Sequence, residues 1–241
     1  MRWSYGLNSL EVMKTKNKIL WGLTLLPMIV TAVVLRFMPD EVPMHYDISG
    51  NIDRWGSKYE KFIFPCMIVV FTLFWICFMK YFRKKQANAK DEKTANEAMN
   101  NEKLIYYAAV GMAVMFGVMQ YFILYSAFVA AKDNMTSSAI DISIVTNVVM
   151  GVFMIFLGNV LPKAKPNSVA GVRTVWAMHN DKTWAESNRF GGAALMVCGV
   201  MVVIESLIFG GIASTLIMLA MIIVFGVIVT VYSYKVYKKY K

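Results

Sequence analysis

Six long apolar runs constrain this chain more than any other feature of its sequence. They occupy residues 19–38, 62–82, 104–131, 142–161, 190–209 and 212–234. About 20 residues of helix, rising 1.5 Å each, cover the ~30 Å hydrocarbon core of a bilayer. Composition agrees: 58% of residues are hydrophobic and 17% charged, with a mean hydropathy of +0.51, where a soluble domain holds nearer ~45–50% apolar residues. The expected fold is an all-α membrane protein, a bundle of six transmembrane helices.

Charge sets the expected orientation. A formal charge of +10 would suggest nucleic acid in a soluble chain, but in a membrane protein Lys and Arg collect in cytoplasmic segments. With the N-terminus inside, 20 of the 25 basic residues fall on the cytoplasmic side; Arg36, Arg54, Lys58, Lys61 and Lys132 fall outside. Both termini are therefore expected in the cytoplasm, and direct nucleic-acid binding is not expected. The chain divides into a cytoplasmic segment (1–18), two spans with a structured outer loop at 39–61 (19–103), and a four-span region with a cytoplasmic loop at 162–189 (104–241).

Between the spans, Trp3, Tyr5, Leu7, Leu10 and Met13 offer a weak amphipathic face that would lie along the membrane surface. The first span lacks a small-residue cleavage site and reads as a retained anchor, kinked at Pro27 and ended by Pro39. Residues 83–103 read as a solvated linker, although their Ala, Glu and Lys content would also extend the flanking helices. Gly210-Gly211 makes a tight reversal. The cysteines, Cys66, Cys77 and Cys198, read as small buried hydrophobes.

Chemistry-bearing patterns are sparse. His45 and Asp47, like His179 and Asp181, have a spacing that offers two metal ligands, too few for a metal centre, and no metal or cofactor is expected. No His-Glu-x-x-His, phosphate loop or nucleophile elbow is present, so an enzyme is not expected. Glu205 is the one acidic residue well inside a span, either an ion or proton site or a carboxylate snorkelling to the nearby interface. Gly151, Gly158, Gly191, Gly192 and Gly199 provide surfaces for close helix approach. Pro39-x-x-x-Pro43 and Pro162-x-x-x-Pro166 echo each other, as an inverted repeat would, or as two helix ends would.

Two stretches carry a resemblance. The outer loop, with Pro39, Val42-Pro43, His45-Tyr46-Asp47, Gly50-Asn51-Ile52-Asp53 and Trp55-Gly56-Ser57-Lys58, resembles the signature of an uncharacterised bacterial membrane domain. The inner loop and fifth span, with Gly171-Val172-Arg173-Thr174-Val175-Trp176, Trp184, Asn188-Arg189 and Gly191-Gly192, are similar to the SdpI family that often follows it. Members typically carry Pro where this chain has Val175, and often another aromatic where it has Tyr46.

The resemblance implies a membrane immunity protein that protects a bacterium from its own secreted, membrane-active peptide toxin and holds a cytosolic repressor at the membrane. His45, Tyr46, Asp47, Gly50, Asp53, Trp55 and Lys58 are then the toxin-facing candidates. Gly171, Arg173, Trp176, Trp184, Asn188 and Arg189 are candidates for binding a cytosolic partner or membrane lipid, or for holding their loop against its own helices. A small secondary transporter is the alternative.

Overall fold

The computed structural model describes residues 2–241, with side-chain surroundings from Lys14 onward. Six helices dominate it: α1 (Arg2–Val34), α2 (Ile63–Ala87), α3 (Glu92–Lys132), α4 (Ile142–Val160), α5 (Asp181–Phe209) and α6 (Gly211–Tyr240). All six are long and apolar enough to cross a membrane. Between α1 and α2 stands an antiparallel hairpin, β1 (Glu41–Tyr46) and β2 (Ile52–Ser57), which gives the expected structured loop its form. The amphipathic face expected on Trp3 to Met13 lies outside the described side chains.

Capping residues place the helix starts, and they correct two expectations. Asp91 accepts the Thr94 N–H at 2.7 Å, so α3 begins at Glu92, and the segment at 83–103 is two helix ends around a short turn rather than a solvated linker. Ala98 and Asn101 are fully buried there, and Arg83 bonds Glu102 at 2.8 Å. Asn180 and Thr183 cap α5 reciprocally, each side chain accepting the other's backbone N–H at 2.9 Å. Helix α5 therefore begins at Asp181, and Trp184, Asn188 and Arg189 lie on a helix; the irregular loop is confined to 164–180.

The helices pack as two triplets. In the first, Leu20, Met79, Ile105, Ala109 and Ala113 form an apolar core. Buried polar links cross it: Thr24 to Thr72 at 2.8 Å, and the Gln120 amide donating to Thr31 Oγ1 at 2.9 Å and to the Lys61 carbonyl at 3.2 Å.

In the second triplet, α4 and α5 approach along two glycine pairs, as the small residues predicted. A Cβ on Gly151 would lie 2.7 Å from the Gly199 carbonyl oxygen, and one on Gly158 would lie 2.6 Å from that of Gly192. Lipid offers no hydrophobic gain for helix association, so backbone-to-backbone packing of this kind supplies the attraction. Helix α6 completes the triplet with Met218 against Met154, Cys198 and Val202.

The triplets meet where the Phe153 and Phe156 rings of α4 crowd Gly111 of α3. The outward faces are apolar, with Val70, Ile208 and Ile223 more than 60% exposed. Cys66 and Cys77 lie on such a face, not in the core as expected; Cys198 is buried. The proline echo ends at the helix termini, since Pro43 enters a strand and Pro166 an irregular loop.

Candidate functional site

The hairpin is anchored by Val42, fully buried among Leu35, Met38, Leu124 and Ala127 at the end of α3. The turn between its strands is closed by Asp47. Its carboxylate accepts the backbone N–H groups of Ser49 and Asn51, both at 2.8 Å, and the Asn51 side-chain amide at 3.0 Å. Those bonds, the Asn51 side chain foremost, hold the Asp47 carboxyl below its ordinary pKa. Gly50, at φ +82°, supplies the left-handed residue the turn needs.

A clip from the α3–α4 connection lies alongside. Ile52 donates to the Thr136 carbonyl and Ser138 donates to the Gly50 carbonyl, both at 2.8 Å.

His45 pairs with Asp53, not Asp47, through Nδ1 at 2.7 Å. Lys58 bonds Asp40 at 3.0 Å and the Met38 carbonyl at 3.2 Å, while Trp55 is 43% exposed. Of the predicted hairpin residues, His45, Asp53 and Trp55 form the outer surface, Lys58 is half-buried beneath it, and Asp47 and Gly50 build the turn.

Beneath the turn is a cleft of about 600 Å³ between the hairpin, the segment at 137–143 and the start of α6. Tyr46 enters its wall. The Tyr46 hydroxyl is buried without a partner, next to Ser126 and Ser138, which bond each other at 2.9 Å. Burial pushes the phenol pKa up, with those two hydroxyls opposing.

Two further residues in the cleft escaped the sequence reading. Lys61 is only 6% exposed, and its ammonium donates to the Pro43 carbonyl at 2.6 Å. Asp141 accepts the N–H groups of Ser143 (2.8 Å), Ile144 (3.2 Å) and Gly211 (2.6 Å), so one carboxylate caps both α4 and α6. An Asp directly before an apolar run is a readable cap signal; nothing marked Lys61.

At the other end of α3, the loop at 164–180 is held by the residues that made it conspicuous. Trp184, 3% exposed, donates its indole N–H to the Ala164 carbonyl at 2.9 Å. Asn188, 1% exposed, accepts the Val172 N–H at 2.8 Å and donates to the Trp184 carbonyl at 3.0 Å. Gly171, at φ +127°, lies against both side chains. Asn101 of α3 bonds the Ser168 hydroxyl at 2.9 Å, and the half-buried Trp176 packs on Tyr234 of α6 with ring centroids 5.0 Å apart. Arg173, Val175 and Arg189 remain exposed.

Glu205 lies about one helical turn below the hairpin end of α5. It is 5% exposed in the second triplet, not snorkelling to the surface. One carboxylate oxygen accepts the Ser206 hydroxyl at 3.3 Å and the other has no partner. Cys198 touches Met221 across α5 and α6; seven residues on and seven back, the antiparallel register sets Glu205 in the layer of Ser214. Asn147, buried on α4, donates to the Ser214 hydroxyl, and its own amide oxygen is unpartnered.

These features define a multi-pass membrane protein with a folded hairpin at one end of its bundle and a pinned basic loop at the other. Residues 22–69 match DUF1648, a domain of unknown function, and residues 163–233 match the SdpI/YfhL protein family. The chain is thus a multi-pass bacterial membrane protein in which a region similar to the SdpI/YfhL family follows one similar to DUF1648. It is 24% identical over 224 residues to "Immunity protein SdpI" of Bacillus subtilis (strain 168), covering 93% of this chain and 97% of that protein. Over 59 residues, 24% of this chain and 65% of the relative, it is 33% identical to "Uncharacterized membrane protein YbgB" of the same organism. No solved structure matches it significantly.

Proposed function

We propose that this protein confers immunity to a secreted, membrane-active peptide toxin. The observation that carries the reading is the likeness to an immunity protein along nearly the whole length of both chains, hairpin and loop included. The distribution of basic residues supports an orientation with the loop end and both termini in the cytoplasm and the hairpin end outside. The hairpin end then meets the toxin, through the exposed His45, Asp53 and Trp55, with the half-buried Lys58 beside them, and the cleft that holds Tyr46. The loop end presents Arg173 and Arg189 to lipid phosphates or to an acidic face of a cytosolic repressor, while Trp184 and Asn188 hold the loop in place.

The test is a toxin challenge. Expression in a sensitive strain is expected to suppress membrane depolarisation by the cognate peptide, and unchanged depolarisation would reject the reading. A second reading, a small secondary transporter, is favoured by one observation, the buried layer of Glu205, Ser214 and Asn147 with two unpartnered oxygens. Protection that survives Glu205→Gln intact would count against it.

A further inference from the structure

The polar groups lining the cleft under the hairpin are unevenly satisfied. Its two carboxylates are occupied: Asp47 accepts three bonds within its own turn, and Asp141 accepts three backbone N–H groups at the starts of α4 and α6. His45 at the rim is paired with Asp53. The donors are left over. The Lys61 ammonium carries three hydrogens and bonds only the Pro43 carbonyl, with no carboxylate in ion-pair range among the described residues. Tyr46 lines the same wall, its hydroxyl buried against those of Ser126 and Ser138.

A buried cation without a carboxylate in ion-pair range is costly, and Asp141, the nearer carboxylate of the lining, is taken up by the backbone N–H groups that start α4 and α6. We infer that the cleft is a carboxylate-binding site, built around Lys61 and Tyr46, that takes the C-terminal end of an apolar peptide.

Size and access favour that occupant. About 600 Å³ falls within the ~300–1,000 Å³ of small-ligand pockets, room for the end of a peptide and not for a whole one. The turn at 47–50 and the segment at 137–141 line it from outside the candidate spans, and Lys61, Ile123, Ile142 and Gly211 line it from the span ends beneath the hairpin. Apolar walls such as Ile123 and Ile140 lie beside the donors. The inference rests on the reading of the hairpin end as the toxin-facing one, and it assigns the part of the toxin that the cleft holds.

The test uses the full chain in phosphatidylcholine nanodiscs, labelled with 3-fluorotyrosine and observed by fluorine NMR, with the Tyr46 resonance assigned from Tyr46→Phe. The probes are N-acetyl-trileucine as the free acid and as its amide. The acid is expected to shift the Tyr46 resonance saturably, and the amide to bind at least ten-fold more weakly. Lys61→Gln keeps an N–H for the Pro43 carbonyl while removing the charge, and it is expected to lower the affinity for the acid to that for the amide. An unmoved resonance in unliganded Lys61→Gln shows that the site is still folded.

Equal binding of acid and amide, no shift with either, or undiminished binding by Lys61→Gln overturns the inference. A shift produced by phosphatidylglycerol nanodiscs alone makes the occupant a lipid phosphate and overturns the peptide assignment. The challenge assay separates the two readings: if Lys61→Gln loses the acid but still protects cells, the site stands and the toxin reading of it falls.

Discussion

The hairpin at 41–57 and the loop at 164–180 lie at opposite ends of α3, and they use the same kinds of side chain in opposite ways. In the loop, the buried polar and aromatic groups are turned inward and bonded: Asn188 to Val172 and Trp184, Trp184 to Ala164, Asn101 to Ser168. What faces outward is Arg173, Val175 and Arg189. The hairpin pairs its charges on the surface and leaves a cation and a phenol in the cleft beneath. Conspicuous residues are therefore structural at one end, whereas at the other an inconspicuous lysine carries the recognition chemistry. A cluster of Trp and Asn in a connector signals a loop that must be held down, and it does not by itself signal a binding site.

Both ends depend on the second triplet holding its shape, because Asp141 and Gly211 shape the cleft and Val172 packs against α5 and α6. Gly158→Leu should have the largest effect. It drives side-chain atoms into the Gly192 backbone, with an expected loss of about 3 kcal/mol or more, seen as a collapse of the thermal transition in nanodiscs. A near-wild-type transition would mean that α4 and α5 do not meet at these glycines.

The loop can be tested with one pair of substitutions. Asn188→Ala strands the Val172 N–H in a buried setting and is expected to cost about 1–3 kcal/mol. Arg189→Ala, one residue along and exposed, should stay within about 0.5 kcal/mol of wild type. Equal costs for the two would abolish the distinction between pinning and presenting residues.

At the hairpin, the turn should respond to acid. The folded-state pKa of Asp47 lies below its ordinary value of 3.8, because the Asn51 side chain and backbone, and then the Ser49 backbone, donate to the carboxylate. Its contribution is therefore complete above the ordinary value and is lost as pH falls through the depressed one. The Ser49 and Asn51 amide resonances are expected to hold steady down to about pH 4 and to move below it. Movement beginning well above that would mean that the carboxylate does not close the turn.

The smallest effect belongs to Tyr46→Phe. The hydroxyl only abuts those of Ser126 and Ser138, which bond each other, so the midpoint of unfolding should change by no more than ~0.5 kcal/mol equivalent. A larger loss would place Tyr46 among the structural residues and remove the contrast with the loop.

The six spans were legible because membrane solvation acts on each segment by itself: a run of apolar residues long enough to cross must be helical wherever its neighbours lie. The glycine surfaces were legible for a related reason, since only small residues permit backbone contact. The linker at 83–103 was misread because Asp91 is one cap among many polar residues, and the burial of Ala98 and Asn101 depends on partners far along the chain. Trp184 and Asn188 were placed in a loop because the apolar run begins only at Phe190, although Asn180 starts the helix three turns earlier.

The order of spans, their apolar character, the close-packing positions and the basic asymmetry were thus determined by the sequence itself, through composition and short-range pattern. The hairpin register, the pairing of His45 with Asp53, the double cap by Asp141 and the isolation of Lys61 were decided only by the tertiary structure. Each of these depends on which polar groups meet across distant segments, and a buried donor can be recognised as surplus only when every acceptor around it has been assigned.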